Sequence, residues 1–352
     1  MIFAIAHIAP TLASDNDDQA QVLGYEAIEH VKKMFQDCTP LMNSKRPVLV
    51  TGAHRSGTTW VGRTLAAAPG AAYIHEPFNI NQRPGICDLP ARKFWYTYVT
   101  QEDDLLFSAP LKSTLEFRYA VRSEIRSIRS LRDLGRMARD VVKINWLRLA
   151  ARPWPLVKDP FAFYSAPWFA EEFKAQVVIL VRHPAAFVNS ILRQGWDFPF
   201  EHWLQQERLM RDRLSPFQAE IKKFAEDPQP LIDQAVLLWN SIYSVANHYR
   251  IQHPAWHILR HEDVSMDPGQ VFSALYGQLG LTFTSDVKRF IARTTATKTS
   301  IAVVDRPVLD IHRHSRANIK AWQTQLTKDE VAYIRNATEG ISELFYEDGD
   351  WE

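Results

Sequence analysis

Val48-Leu-Val-Thr-Gly-Ala-His-Arg-Ser-Gly-Thr-Thr-Trp-Val61 reads as a buried strand that runs into a glycine-bounded loop and then a helix. Gly52 and Gly57 keep the spacing of the phosphate-binding pattern GxxxxGK[ST], but Thr58 stands where that pattern has its lysine. The basic residue lies inside the loop instead, at Arg55. In the lysine-bearing form, the lysine and Mg²⁺ handle a β/γ-phosphate. A loop ending in the hydroxyls of Thr58 and Thr59, with Arg55 upstream, suits a nucleotide whose 5′ end is one phosphate carrying a transferable group. Such a loop binds anions through successive backbone N–H groups and the start of the following helix. Its candidate contacts are His54, Arg55, Ser56, Gly57, Thr58, Thr59 and Trp60.

Outward from this loop, five short apolar runs lack the polar alternation of a half-exposed sheet and read as buried strands. They are 47–51, 71–74, 155–157, 177–181 and 256–259. Helical patterns at 57–68, 184–192 and 232–250 alternate with them. This predicts an α/β fold of the P-loop type, a parallel sheet of about five strands with helices on both faces. Residues 1–45 are expected to form an N-terminal segment and 46–352 a single domain. Residues 81–152 interrupt the alternation as a helical insertion, and 198–230 form a second helical excursion.

A second anion site is readable in Val177-Val-Ile-Leu-Val-Arg-His-Pro-Ala-Ala-Phe-Val-Asn-Ser190. A buried strand ends at Arg182, Pro184 opens a helix where its missing N–H costs nothing, and Ser190 lies on that helix. Open α/β sheets bind ligands at this edge, where Arg182 could hold a phosphate bidentately or cap the strand through a salt bridge.

The whole chain sets broader bounds. At 352 residues it can bury a substantial core, and its net charge of +1 gives no argument for nucleic acid. Two cysteines, Cys38 and Cys87, are too few for a disulfide framework, which points to a reducing compartment. The apolar start at 2–9 is short for a membrane span and lacks the charged region of a signal peptide, so the expectation is a cytoplasmic protein. His261, His312 and His314 lack defined metal-ligand spacing, and no metal is expected.

Charge is uneven within the insertion. From Arg118 to Arg152 nine Arg and one Lys face only Glu124, Asp133 and Asp140, a local net charge of +7. Arg118, Arg122, Arg126, Arg129, Arg132, Arg136 and Arg139 recur every three or four residues and would form one stripe on a helix, with Leu131, Leu134, Ala138 and Val141 opposite. Such a stripe is either a solvated face over the core or a landing strip for an anionic glycan or lipid surface.

In four ordered elements spanning roughly residues 47–325, the chain resembles the sulfotransferases that use 3′-phosphoadenosine 5′-phosphosulfate (PAPS). Arg55-Ser-Gly-Thr-Thr-Trp60 resembles the 5′-phosphosulfate loop, and Arg182 with Ser190 the 3′-phosphate motif. His261-Glu-Asp-Val-Ser-Met-Asp-Pro268 is similar to the Tyr-Glu-Asp…Asp-Pro element after a late strand. Ser315-Arg316 with Lys320-Ala-Trp322 resembles the loop that closes over the nucleotide.

The resemblance implies that residues 55–59 hold the phosphosulfate, Trp60 stacks on adenine, and Arg182, Ser190 and Arg316 hold the 3′-phosphate. Cytosolic members carry Lys at the Arg55 position and a histidine after Lys-Thr. Here Leu156-Val-Lys-Asp-Pro160 keeps Lys158 without that histidine. Carbohydrate-type members use a glutamate after the second strand, and Tyr73-Ile-His-Glu-Pro77 places Glu76 there. The implied function is transfer of a sulfuryl group to a hydroxyl of a carbohydrate, glycolipid or other small acceptor. Glu76 would be the base, with His75 and Asp159 in reserve, and Arg55 and Lys158 would stabilise charge. Trp95, Trp196 and Trp203 are candidates for stacking on the acceptor. Two alternatives remain at this point: an ATP-dependent kinase with a degenerate loop, and a nucleotide-binding module without turnover.

Overall fold

A computed structural model of the protein describes residues 46–89, 92–151, 153–295 and 319–352. These belong to one compact unit, Lys45–Glu352. Five strands form a single parallel sheet in the order β2-β3-β1-β4-β5. They are β1 Val48–Gly52, β2 Ala71–His75, β3 Trp154–Lys158, β4 Gln176–Val181 and β5 His257–Arg260. Each expected strand is present, with its ends moved by at most one residue.

Alternation along the strands explains why they read as continuous apolar runs. Leu49, Val157, Val177, Ile179 and Val181 face one core, and Val48, Val50, Leu156, Val178 and Leu180 face the other. Both faces are therefore dry and apolar, as a parallel sheet under helices requires. The second core is closed by α1 (Thr58–Leu65), through Val61 and Leu65, and by helices that follow β5.

Between β2 and β3 the insertion contributes α2 (Asp104–Leu115), α3 (Val121–Ser127) and α4 (Leu131–Trp146). After β3 come α5 (Ala166–Phe173) and, after β4, α6 (Pro184–Gln194). Short helices at Glu201–Leu204, Glu207–Asp212 and Gln218–Glu226 precede α7 (Leu231–Gln252). Past β5 lie α8 (His261–Met266), α9 (Pro268–Leu279), α10 (Ser285–Thr295) and α11 (Lys328–Ser342).

The arginine stripe is not on one continuous helix. α3 ends at Ser127, and Ser130 caps α4 by accepting the Asp133 N–H at 3.2 Å. A side-chain oxygen that satisfies a free amide favours a helix start at that point over continuation through it. The expected opposite face is also corrected: Leu131, Leu134 and Ala138 are exposed, and Met137 is the buried residue of α4.

Helix α1 leaves β1 towards one face of the sheet, while α6 leaves β4 towards the other, where Ala185, Phe187, Val188 and Ile191 join the first core. Because β1 and β4 are neighbours, their loops part and leave a crevice at the carboxyl edge of the sheet, the usual ligand position in such folds.

Gly52 is the point at which β1 turns into that crevice. It adopts φ +135°, and a Cβ there would sit 2.5 Å from the Leu180 carbonyl oxygen. Backbone, which cannot swing aside, blocks any side chain. Gly52→Ala is therefore expected to lower stability by about 3 kcal/mol or more, read from urea unfolding. An unchanged urea midpoint would contradict the close approach of β1 and β4 at this residue.

Candidate active site

The loop after β1 is tied to β4 and α6 by side-chain hydrogen bonds. Arg55 adopts a left-handed conformation, φ 67°, and its carbonyl accepts from Arg182 Nη1 at 2.6 Å. Its own Nε donates to Ser190 Oγ at 3.0 Å. The two segments expected to carry anion sites are thus joined, with Arg55, Arg182 and Ser190 meeting in one place. Arg182 is fixed in turn, because its carbonyl accepts from Trp239 Nε1 at 2.8 Å.

The next turn exposes donors. Gly57, at φ 92°, is the N-cap of α1 and provides no capping side chain. The amides of Gly57, Thr58 and Thr59 take no hydrogen-bond partner among the described residues, which leaves three N–H groups at a helix start. Such a cluster suits an anionic oxygen. A Cβ on Gly57 would overlap the His261 ring, so His261 closes one side of the loop.

Two loop residues serve the scaffold instead. Both the N–H and the hydroxyl of Ser56 donate to the Ala53 carbonyl, at 3.2 and 2.5 Å. The Ser56 hydroxyl proton thus closes the turn at Ala53 in this structure. The His54 N–H donates to the Tyr96 hydroxyl at 2.9 Å, and His54 Nδ1 lies 2.7 Å from the same oxygen. Burial first, and the Arg55 charge second, lower the His54 pKa to about 4, although Glu76 opposes them. The imidazole is neutral at pH 7, so the Tyr96 proton can go to Nδ1 and the ring proton to Nε2.

Tyr96 comes from the insertion, is fully buried and adopts φ 58°. Nothing in the sequence around it marked this role. Only proximity in the fold brings it to a loop 42 residues earlier.

Trp60 packs edge-on against Phe272 at 5.5 Å and His261 at 6.4 Å, and its indole N–H donates to Thr294 at 3.2 Å. Trp196 is exposed and lies beneath the Arg55 guanidinium, 5.3 Å from carbon to ring centre. Trp95 packs at a tilt against Phe161, ring centres 4.5 Å apart. Trp203 is completely buried and belongs to the core, which removes it from the acceptor candidates. Arg316, together with Ser315, His312 and His314, lies outside the described residues. Lys320 is exposed, and Trp322 is buried with its ring stacked on His183 at 5.1 Å.

On the other side of β1, β2 and β3 end together. Glu76, at φ 45°, donates its N–H to the Lys158 carbonyl at 2.8 Å, and its carboxylate is paired with the Lys158 ammonium. Asn79 donates to the second carboxylate oxygen at 2.6 Å. Burial works to raise the Glu76 pKa, but the charges of Lys158 and His75 and the hydrogen bonds from Lys158 and Asn79 carry it below the ordinary value. Glu76 is therefore ionised at neutral pH.

Asp159 behaves in the opposite way. Complete burial and the Glu76 charge raise its pKa to about 8, against the donors from Phe78 at 2.6 Å and Phe161 at 2.9 Å. Asp159 thus keeps its proton and pins the loop after Glu76 to the end of β3. Half-exposed His75 is held neutral by burial and by Lys158, 3.8 Å from Glu76. Neighbouring acids whose environments separate their pKa values have divided roles. Here Glu76 is the ionised carboxylate and Asp159 the structural one.

With this geometry in place, the chain can be set beside known proteins. The model of a family described as "Sulfotransferase family" matches residues 47–285. The chain belongs to the sulfotransferase family. Among solved structures, the sulfotransferase domain of the Synechococcus PCC 7002 olefin synthase is 16% identical with a TM-score of 0.43, covering 89% of this chain and 99% of that one. The sulfotransferase domain of the curacin biosynthetic pathway is 15% identical with a TM-score of 0.44, covering 86% and 98%. Sulfotransferase STF9 from Mycobacterium avium is 13% identical with a TM-score of 0.43, covering 91% and 81%. No curated protein matches the chain significantly.

Membership in this family makes the protein a transferase, and the Glu262 element after β5 acquires a mechanical reading. Glu262 is buried, accepts the His183 N–H at 3.1 Å and the Tyr346 hydroxyl at 3.0 Å, and so fixes the backbone next to Arg182. Tyr96→Phe is expected to leave the part-buried His54 N–H without its acceptor, costing about 1–3 kcal/mol of stability by urea unfolding. No loss of stability would contradict the pairing of Tyr96 with the loop.

Proposed function

We propose that this sulfotransferase uses PAPS and transfers its sulfuryl group to a hydroxyl of a carbohydrate, glycolipid or other small acceptor, with Glu76 as general base. The observation that carries the reading is the meeting of Arg55, Arg182 and Ser190 beside three unpartnered amides at Gly57–Thr59. Two anion-binding groups at the parted ends of β1 and β4 suit a donor that is anionic at both its 5′ and 3′ ends. The Gly57–Thr59 amides and the Thr58 and Thr59 hydroxyls would bind the 5′ end, and Arg182, Ser190 and Arg316 the 3′-phosphate. Trp60 is assigned to the adenine side.

On this reading Glu76 takes the proton from the acceptor hydroxyl as its oxygen attacks sulfur. The new O–S bond forms while the S–O bond to the 5′-phosphate breaks, and the electron pair leaves with the phosphate. Lys158 and Arg55 supply positive charge where negative charge grows, which is most effective when the donors are already in place. Trp95, Trp196 and Phe161 give the acceptor side aromatic faces of the kind that stack on sugar rings. Among the described residues no His, Cys, Asp and Glu cluster is arranged to hold a metal.

The kinase alternative needs an acidic residue at a strand end to hold Mg²⁺. Asp159 occupies such a position, but its oxygens accept from Phe78 and Phe161 and its burial favours the protonated form. This arrangement disfavours a metal role for that residue.

Thermal shift separates the nucleotide classes. The product nucleotide 3′-phosphoadenosine 5′-phosphate (PAP), at 100 times its Kd, is expected to add about 2.7 kcal/mol of stability, and ATP with Mg²⁺ much less. Stabilisation by ATP–Mg²⁺ alone would overturn the reading in favour of a kinase. PAP binding with no sulfate transfer to any of a panel of glycans and glycolipids would indicate a module without turnover.

Glu76→Gln is expected to lower kcat by roughly 10²–10⁴-fold while PAP binding persists. Because the Glu76 pKa is lowered, the parent enzyme should keep its base ionised as pH falls, losing it only below the ordinary value of 4.5. Near-normal turnover in the variant, or an acid limb well above that value abolished by the same substitution, would contradict the assignment.

A further inference from the structure

Helix α4 has three faces, not two. Met137 is buried, Ile144 packs against the core, and Asp140 pairs with Arg83 at 2.6 Å, so this side rests on the protein. A second side carries exposed Arg132, Arg136, Arg139 and Lys143. The third carries Leu131, Leu134, Ala138, Val142 and Trp146, all exposed, with Leu131 at 86% and Trp146 at 64% exposure. Leu149, in the turn that follows, extends this row and is also exposed. At 1.5 Å per residue the apolar row along α4 is about 22 Å long. Large side chains left in water along a whole helix row need a covering surface, whereas scattered exposed ones do not.

We propose that α4 is an interfacial helix that seats this domain on an anionic lipid bilayer. Charge complementarity selects the occupant. The basic row borders the apolar row, and exposed Arg122, Arg126 and Arg129 continue the positive surface through α3. Glu124 is turned inward, pairing with Arg83 and accepting from the Gly85 amide at 2.7 Å, so it does not neutralise that surface.

Apolar side chains entering the acyl boundary beside cations at the headgroups is the arrangement of a helix lying in a membrane interface. Trp146, at the end of the row, suits the headgroup level. An anionic glycan would use the basic row but leave the apolar one in water. A second copy packed symmetrically on the same strip would bring two basic rows together.

The mounting is rigid, because Arg83 ties α3 and α4 to the loop seven residues after Glu76, through Glu124, Asp140 and the Tyr119 hydroxyl at 3.0 Å. The proposal does not depend on the choice of nucleotide donor, and its test does not read activity.

The full chain is mixed with phosphatidylcholine vesicles, with or without about a third phosphatidylglycerol, and sedimented. Binding is expected to the anionic vesicles and to weaken with added NaCl. The triple change Arg132→Gln, Arg136→Gln and Lys143→Gln should weaken it roughly hundredfold, since each basic side chain near an anionic leaflet contributes about fivefold. Leu131→Ser with Val142→Ser and Trp146→Ser should weaken it by roughly tenfold or more. All six positions are exposed, so parent and variants should share a thermal midpoint.

Equal sedimentation of the native chain with neutral and anionic vesicles would overturn the proposal. So would binding that the apolar variant leaves unchanged, which would make the surface a polyanion site only. Self-association of the native chain in analytical ultracentrifugation, abolished in the apolar variant, would assign the strip to a second copy and equally overturn it.

Discussion

The hydrogen bond from Arg182 to the Arg55 carbonyl is the constraint on which the site depends. A residue with a side chain beyond Cβ in the left-handed region costs on the order of 1–3 kcal/mol, and Arg55 is held there at φ 67°. A charge-assisted hydrogen bond contributes about 1.5–3 kcal/mol, enough to offset that strain. The consequence is geometric. With the Arg55 carbonyl turned towards β4, the Ser56 amide closes back on the Ala53 carbonyl, and the amides of Gly57, Thr58 and Thr59 beyond it take no partner among the described residues. The tie to Glu262, Tyr346 and Trp239 behind Arg182 then becomes understandable as support for a single backbone turn.

Strain recurs where the chemistry is expected. Among the described residues, five other than glycine have positive φ, and three of them, Arg55, Glu76 and Tyr96, lie in or against the loops at the carboxyl edge of the sheet. Each is over-determined by neighbours: Arg55 by Arg182 and Ser190, Glu76 by Lys158 and Asn79, Tyr96 by His54. Unfavourable backbone conformations persist only under such support, and they collect at sites where a side chain must be aimed against its local preference.

The sheet was legible because strands buried on both faces have to be apolar at every position, and few other segments are. The Gly52–Trp60 loop was legible for a similar reason, since glycine spacing reports backbone requirements directly. The bond from the Ser56 hydroxyl to the Ala53 carbonyl was not legible, because a hydroxyl in a loop carries no sign of whether it faces ligand or turn. Tyr96 and Asn79 were missed because their partners are set by the path of the insertion and of the loop after β2. Helix α4 shows a different limit. Period reveals which residues share a side of a helix but not which side meets the core, and a binary pattern cannot describe three faces. Leu131 and Met137 are both apolar, yet only Met137 is covered.

The position of Lys158 connects the loop to the carboxylates. A lysine inside the Gly52–Thr59 loop would stand among the amides, where its charge would serve a bound phosphate. Placed at the end of β3, Lys158 pairs with Glu76 and helps carry its pKa down despite burial. Without that charge, two adjoining carboxyl groups in a low-dielectric pocket would compete for one proton, and desolvation would favour the neutral form of both. Lys158 breaks the symmetry, because Glu76 lies against its ammonium while Asp159 is held by backbone amides and complete burial. On the proposed reading, the same ammonium then faces the charge that grows during transfer. One cation at the end of β3 thus keeps Glu76 ionised and, on that same proposed reading, would lie on the side of the leaving oxygen.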